Sequence, residues 1–437
     1  MAEGKEVQHF FDQFLFPRIF RAFRMAIHPR KMTIAFLAVV AIGLLGWIMD
    51  FNKVVTTDRF GKSSLLAYVG GGVRMTSSPG LRDQVPGQAR GLFVELYQFW
   101  ANRFHDALYA MSRLDIPGVT RHTAACLTAV EWAFLTYPLW STLFFSAALA
   151  VLAVAGGAIC RIAALQFAQG ERPGLIESLR FSVQRFVNFF ISPLVPLGLI
   201  TFTGLSVALL GLAGNIPWVG EILVGLGMPL VLILGMAMTA LAVGAVAGFN
   251  LVYPAVAYDD SECFIAVNNS FRYAFAMPWR YGFYTLLAVA YGGITYYFVR
   301  RFAFGVLGLS YRFLELGFLE HNRKLHSLWQ EPSFVNLFGQ PVVAAGEPLG
   351  TMVVGRFLIH MAVLAMVALM IGFVISFYFT VNTIIYALLR KGVDDIPLDQ
   401  VHTREEDLNG PVPCPPAPKD QQPPARPAVP VEGTPHG

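Results

Sequence analysis

Charged positions are missing from long stretches of this chain. Met32–Met49, Trp132–Cys160, Tyr281–Val299 and Phe357–Leu389 hold no Lys, Arg, Asp or Glu. Phe186–Tyr258 runs 73 residues interrupted by Glu221 alone. A helix needs about 20 predominantly apolar residues to cross the roughly 30 Å hydrocarbon core of a bilayer. The longest run exceeds one crossing, and Gly214-Asn-Ile-Pro-Trp-Val-Gly220 supplies a polar, turn-rich break. Splitting it near 188–213 and 222–252 predicts six spans. Backbone groups within lipid must pair inside the segment, and the runs are continuous rather than alternating, so the spans are expected to be helices and not barrel strands. The fold class is therefore all-α, a polytopic membrane protein with interfacial amphipathic helices.

The runs divide the chain into a basic amphipathic segment (1–31), a first transmembrane helix (32–51) and an external loop (52–135). A transmembrane core of four spans (136–300), a second external loop (301–356), a sixth transmembrane helix (357–390) and a tail (391–437) follow. Ahead of the first span stand Lys5, Arg18, Arg21, Arg24, Arg30 and Lys31. The 161–185 connection carries Arg161, Arg172, Arg180 and Arg185, whereas Gly214–Gly220 has no base. Basic residues in short connections stay on the cytoplasmic side, which predicts both termini there. The first run follows about 30 residues and lacks a small-residue cleavage site, the pattern of a retained anchor.

Between the spans, Phe10, Phe11, Phe14, Leu15, Phe20 and Phe23 mix with arginines over 7–30. That mixture fits a helix in the membrane interface facing anionic headgroups, or a segment that only orients the first span. In the first external loop, Leu92, Leu96, Trp100, Phe104 and Leu108 recur every four residues and form one apolar helical stripe. Gly70–Gly72 and Ser77–Gly80 mark turns in an irregular stretch over 52–90. Ten prolines among residues 410–437 predict a disordered tail with polyproline character. Pro413-x-x-Pro416 and Pro424-x-x-Pro427 match a proline-groove pattern that so proline-dense a tail produces by chance.

Two connections look alike at an offset of 89 residues, Leu175–Phe186 and Phe264–Phe275. Each is an amphipathic segment before a span, after Arg172-Pro-Gly174 in one case and Asp259-Asp-Ser-Glu262 in the other. The acidic side chains of the second turn are placed to cap the following helix. Repeated units of this kind occur in transporters, and two interfacial helices of common composition also match by convergence. The segments Gly157-Ala-Ile-Cys-Arg-Ile-Ala-Ala164, Ser192-Pro-Leu-Val-Pro196, Phe271-Arg-Tyr-Ala-Phe-Ala-Met-Pro-Trp-Arg-Tyr281 and Tyr386-Ala-Leu-Leu-Arg-Lys-Gly-Val-Asp394 resemble an uncharacterised family of bacterial multi-pass inner-membrane proteins. There a Ser-Phe-x-Tyr helix followed by Arg-Pro-Trp-Arg-Tyr sits between two spans. Met277 here stands where that pattern has Arg or another polar residue. The layout is also loosely similar to the membrane domain of glycerophosphodiester phosphodiesterases. The resemblance covers most of 136–395; it implies an architecture and a bacterial inner-membrane location, but no reaction.

Composition agrees, with 55% hydrophobic and 14% charged residues and a net charge of +4. Soluble domains run near 25% charged, so a cytosolic enzyme, a nucleic-acid-binding module and a disordered scaffold are excluded. Candidate chemistry is sparse. Cys126, Cys160, Cys263 and Cys414 have no framework or zinc spacing. Glu320, His321 and His326 lack a full ligand set. Asp259, Asp260 and Glu262 form an acidic run without a coordination cage. No nucleophile elbow, zinc-protease, P-loop or dinucleotide motif occurs, so no catalytic residue, metal or cofactor is expected. Glu131, Glu221 and His360 lie at span ends and none at mid-depth, which weakens a proton-coupled carrier. Trp279, Arg280, Tyr281 and Tyr284 form a candidate interfacial anchor. Gly244-x-x-x-Gly248 is a candidate site of close helix packing, and Pro193, Pro196 and Pro229 are candidate kinks. The expected partners are the lipid bilayer and membrane proteins, with a kinked-helix transporter or export subunit as the alternative.

Overall fold

A computed structural model describes residues 16–51, 55–56, 64–69, 89–318, 323–333 and 350–401. The chain is an all-α polytopic membrane protein with six helices long and apolar enough to cross a membrane. A 3₁₀ turn, Phe16–Phe20, leads into α1 (Arg21–Ala26) and the first span, α2 (Pro29–Met49). The two-residue strands β1 (Val55–Thr56) and β2 (Ala89–Arg90) pair antiparallel, with α3 (Ser64–Val69) between them in sequence. Two further helices, α4 (Leu92–Ser112) and α5 (Ile116–Thr136), pack on each other before the second span, α6 (Pro138–Ala168). Short helices α7 (Leu175–Gln184) and α8 (Phe186–Ile191) lead to the hairpin of α9 (Val195–Ala213) and α10 (Val219–Asp259). Then come α11 (Cys263–Ala276), α12 (Pro278–Gly317), α13 (Arg323–Leu328) and α14 (Gly350–Asp394).

Proline sets many of these starts. Pro29, Pro138, Pro196 and Pro278 all lie in the first turn of a helix, where the missing N–H has no intrahelical partner to lose. The hydropathy boundary at Trp132 is therefore displaced: Trp132 belongs to α5, and the second span opens at Pro138 after a break at Tyr137. Asp115 caps α5 by accepting from the Gly118 N–H at 3.0 Å. The α9–α10 hairpin turns where the sequence predicts, with Trp218 at φ 70° and Gly220 packed against the turn. A Cβ on Gly220 would stand 2.5 Å from the Gly214 carbonyl oxygen, so only glycine fits.

The segments expected to be external loops contain more helix than the hydropathy predicts. α12 continues to Gly317 and α14 starts at Gly350, so much of 301–356 is helical. α10, α12 and α14 contain 41, 40 and 45 residues. At 1.5 Å per residue each is about 60 Å long, roughly twice the hydrocarbon thickness. Hydropathy marks where lipid contact stops, whereas helical hydrogen bonding continues as long as a neighbouring helix supports it. The residues of 7–15, Gly70–Gly72, Ser77–Gly80, and the proline-rich tail lie outside the described residues.

The main core sits where α6, α10 and α14 finish and α2 and α11 join them. Association within lipid rests on close packing rather than on expulsion of water, which favours small residues. α6 presents Ala153, Ala155, Gly156, Gly157 and Ala158 to this core, all buried. A Cβ on Gly156 would come within 2.5 Å of Phe379, and one on Gly157 within 2.7 Å of the Phe189 ring. Two smaller clusters join α3, α4 and α5 around Leu96, Phe99 and Trp132, and α12 and α14 around Tyr296, Leu307 and Val367. Most of α9 and the Val219–Val243 part of α10 pack on little besides each other and leave broad apolar faces exposed.

Candidate functional site: the buried ionic end of the bundle

The ends of α6, α10 and α14 meet in a cluster of charged and aromatic side chains. Asp259, the last residue of α10, accepts a hydrogen bond from the Tyr386 hydroxyl, and Arg390 Nε lies 3.3 Å from its other oxygen. Arg390 also donates to the Gln400 carbonyl at 2.7 Å and stacks its guanidinium 5.2 Å from the Tyr258 ring. Arg390 is 7% exposed and Asp259 13%, so this pair is withdrawn from water on both sides. Asp260, in the left-handed conformation at φ 48°, turns the chain and pairs with Arg185 at 2.6 Å. Arg161, on α6, donates to the Ala257 carbonyl at 3.0 Å and lies 4.6 Å from the Phe181 ring.

A second unit repeats these residue types beside the first. Asp394 accepts from Arg272 and from the Tyr273 hydroxyl, each at 2.5 Å, and the Tyr273 and Tyr386 rings meet edge to face at 5.3 Å. Burial, then the bond to Asp394, pushes the Tyr273 hydroxyl up to about 12. Burial alone would lower Arg272, but Tyr273 and Asp394 more than offset it and hold it above its ordinary value. The chain after α14 folds back over this end: Tyr258 donates to the Leu398 carbonyl at 2.7 Å, and Val401 is buried.

Lys31 lies on the same side of the core. It is fully buried, and its ammonium donates to Gln166 Oε1 at 3.0 Å and Thr380 Oγ1 at 3.4 Å. Among the described residues no carboxylate forms an ion pair with it. Arg30 points the other way and donates to the carbonyls of Arg172 and, at 2.6 Å, Pro173. Away from this end, His105 of α4 bridges the Ala101 carbonyl and, at 2.9 Å, the Tyr296 hydroxyl of α12. Burial first, then Arg300, hold His105 below its usual value. Asp50 caps the start of α4, accepting from the Phe93 and Val94 N–H groups at 2.8 and 3.0 Å. Burial raises its carboxyl despite those bonds.

The residues singled out in the sequence are dispersed. Trp279 is 91% exposed and Arg280 is exposed beside it, while Tyr284 is buried and Tyr281 donates to the Ala247 carbonyl at 2.6 Å. The four therefore do not share one surface. Gly244 and Gly248 are buried under the Phe271 ring of α11. Of the prolines, only Pro229 lies inside a helix; Pro193 stands in the turn between α8 and α9, and Pro196 in the first turn of α9. Those two kink nothing, since a proline at a helix start displaces no carbonyl. Pro254, also inside α10, was not anticipated.

The acidic turn does not cap α11. Glu262 precedes α11 without a side-chain capping bond, while Asp259 and Asp260 face Tyr386, Arg390 and Arg185 instead. Their charge is consumed by arginines, which removes them as a cation site. Among the described residues no group of three or more His, Cys, Asp or Glu is placed to hold a metal. His326 contacts the Tyr311 hydroxyl at 3.1 Å; Glu320 and His321 lie outside the described residues.

Comparison of the chain with protein-family models, curated proteins and solved structures finds no match, so its own residues carry the functional reading. No relative bears on the resemblance drawn from its sequence.

Sequence reasoning missed the buried charges of this end. Lys31, Arg161, Asp259 and Arg390 flank the apolar runs, and a hydropathy scan assigns them to solvated connections. The available signal is the spacing Tyr386-x-x-x-Arg390, one helical turn, which puts hydroxyl and guanidinium on one face.

Proposed function

We propose that this chain is a non-enzymatic component of a bacterial inner membrane, with both termini cytoplasmic, that binds lipids or partner proteins through its short helices α7 and α11. The observation that carries this reading is the outward face of those helices. Ile176 and Val183 on α7, beside Arg180, and Phe264, Ile265 and Phe275 on α11 are exposed. An apolar and basic face at the end of a membrane bundle is suited to headgroups or to a partner's acidic, apolar surface. The ionic cluster beneath supports the same reading, because its charges are engaged in holding α10, α11 and α14 together.

The test is isolation of the full chain from native membranes with identification of the lipids and proteins that accompany it. Exchange of Ile176, Val183, Phe264 and Phe275 for serine should release them. A chain that carries nothing in stoichiometric amount, with or without the exchanges, defeats the reading. Reporter fusions after Asp394 test the topology, and an external signal would reverse it.

A transporter or export subunit is the second reading, favoured by Pro229 and Pro254 inside α10. Interior prolines leave carbonyls unpaired in a span, as in broken-helix carriers. Substrate flux in reconstituted vesicles, lost on Pro229→Ala, would establish it; absence of flux across a broad substrate panel would remove it.

A further inference from the structure

We infer that the start of α2 is a binding site for one phosphate-bearing anion, supplied by the headgroup of an anionic phospholipid and held by His28, Arg30 and Arg172. This deepens the lipid-binding part of the reading above and rests on it. Residues 16–31 contain Arg18, Arg21, Arg24, Arg30 and Lys31 and no acid. The fold adds another cation to that excess. Arg30 holds the carbonyls of Arg172 and Pro173, which fixes the α6–α7 connection against the start of α2. Those bonds bring the Arg172 backbone, 142 residues away in sequence, to Arg30, and leave the Arg172 guanidinium near enough to His28 to act on it electrostatically beside Arg30 and Lys31.

Like charges brought together by tertiary contact repel unless an anion offsets them. Among the described residues none of the four forms an ion pair with a carboxylate. Glu177 spends its carboxylate on the Gly174 N–H at 3.1 Å, and Glu171 is exposed to solvent. Lys31 is turned inward to neutral partners and brings no counter-charge to the cluster. His28 Nδ1 is shielded from solvent with no hydrogen-bond partner. Burial, then Lys31, Arg172 and Arg30, hold His28 below its ordinary value, so it faces an anion as a neutral imidazole.

The surroundings select a lipid over a free anion. Ile27, next to His28, is 45% exposed, and Thr33 and Leu37 continue an exposed face up α2. A phosphate seated at His28 and Arg172 thus has an apolar track beside it for an acyl chain, while a guanidinium fork matches the phosphate oxygens.

Native mass spectrometry of the full chain in neutral detergent tests this. It is titrated in separate arms with phosphatidylglycerol, phosphatidylcholine and inorganic phosphate. The wild type should retain one phosphatidylglycerol at least tenfold more tightly than Arg172→Gln, and more tightly again than Arg30→Gln/Arg172→Gln. Arg113→Gln/Arg121→Gln, which removes the same charge from the α4–α5 hairpin, should bind as the wild type does. The Arg172 side chain makes no described hydrogen bond, so that single variant decides if the double variant loses its helical circular dichroism. Equal retention by wild type and Arg172→Gln, or an equal loss in the control pair, overturns the site. Preference for phosphatidylcholine also overturns it, and full displacement by inorganic phosphate at matched concentration overturns the lipid as its source. Arg172→Gln lies outside α7 and α11 and breaks no described hydrogen bond, so its failure leaves the release of partners by the serine exchanges as a separate result.

Discussion

Replacing Asp259 with alanine probes the ionic end most directly. The change removes one carboxylate that accepts from the Tyr386 hydroxyl and pairs with Arg390. Tyr386 is fully buried and Arg390 is 7% exposed, so neither group regains water when its partner goes. Stranding a buried hydroxyl costs about 1–3 kcal/mol, and removing one member of a buried ion pair about 3–5 kcal/mol. The two losses share one acceptor and are not additive. Arg390 also keeps the Gln400 carbonyl and the Tyr258 ring, which places the net cost near 3 kcal/mol. That corresponds to roughly a hundredfold rise in the open population. Cys160 reports it, because its thiol is fully buried against α14. With Cys126, Cys263 and Cys414 changed to serine, maleimide labelling of Cys160 in detergent should accelerate by about that factor. Asp260→Ala breaks a pair whose Arg185 is 34% exposed, and should accelerate labelling less than tenfold. Arg390→Met added to Asp259→Ala should recover part of the loss, since a buried pair replaced by apolar atoms is close to neutral. Equal rates for Asp259→Ala and Asp260→Ala would refute the claim that burial makes the first pair critical.

Other parts of the structure carry their own tests. Gly157→Val drives a side chain into the docking site of Ser182 and Phe189 and should cost about 1–3 kcal/mol in thermal unfolding, whereas Gly198→Val, with open space around it, should be near neutral. Equal effects would contradict the packing of α7 and α8 on α6. His105 is depressed in the fold, so its contribution is complete above its unfolded value of about 6.5 and is lost as pH falls below that value. Thermal stability should therefore drop from pH 7.5 to 5.5 more in the wild type than in His105→Phe; parallel slopes would rule this out. Pro229→Ala restores a backbone donor inside α10 and should raise stability, while Pro196→Ala should lower it by about 0.4–1 kcal/mol through the freer unfolded chain. Shifts of the same sign would contradict their different positions.

The repeated connections illustrate how far pattern reading reaches. Leu175–Phe186 and Phe264–Phe275 do become helices or helix pairs lying against the preceding span, as amphipathic spacing requires. At the offset of 89, Ser182 corresponds to Phe271, and both enter glycine-lined grooves, at Gly157 on α6 and at Gly244 and Gly248 on α10. Periodicity shows that such segments have an inner face; it does not show which residue of the span accepts it, because that depends on three-dimensional crossing points.

From the chain alone came six apolar helices, the hairpin turn at Gly214–Gly220 and the all-α membrane class. These follow from local rules, since each crossing must satisfy its own backbone within about 20 apolar residues. Only the tertiary structure decided the fate of the charges next to those runs. Lys31, Arg161, Asp259 and Arg390 are counted as polar by any scan, yet each is buried or nearly so with partners from distant helices or loops. Such a group is tolerated in such a place only when its hydrogen bonds arrive with it, and for Asp259 and Arg390 a counter-charge as well. Those partners stand up to 349 residues away, so the energy that decides burial is absent from any local window.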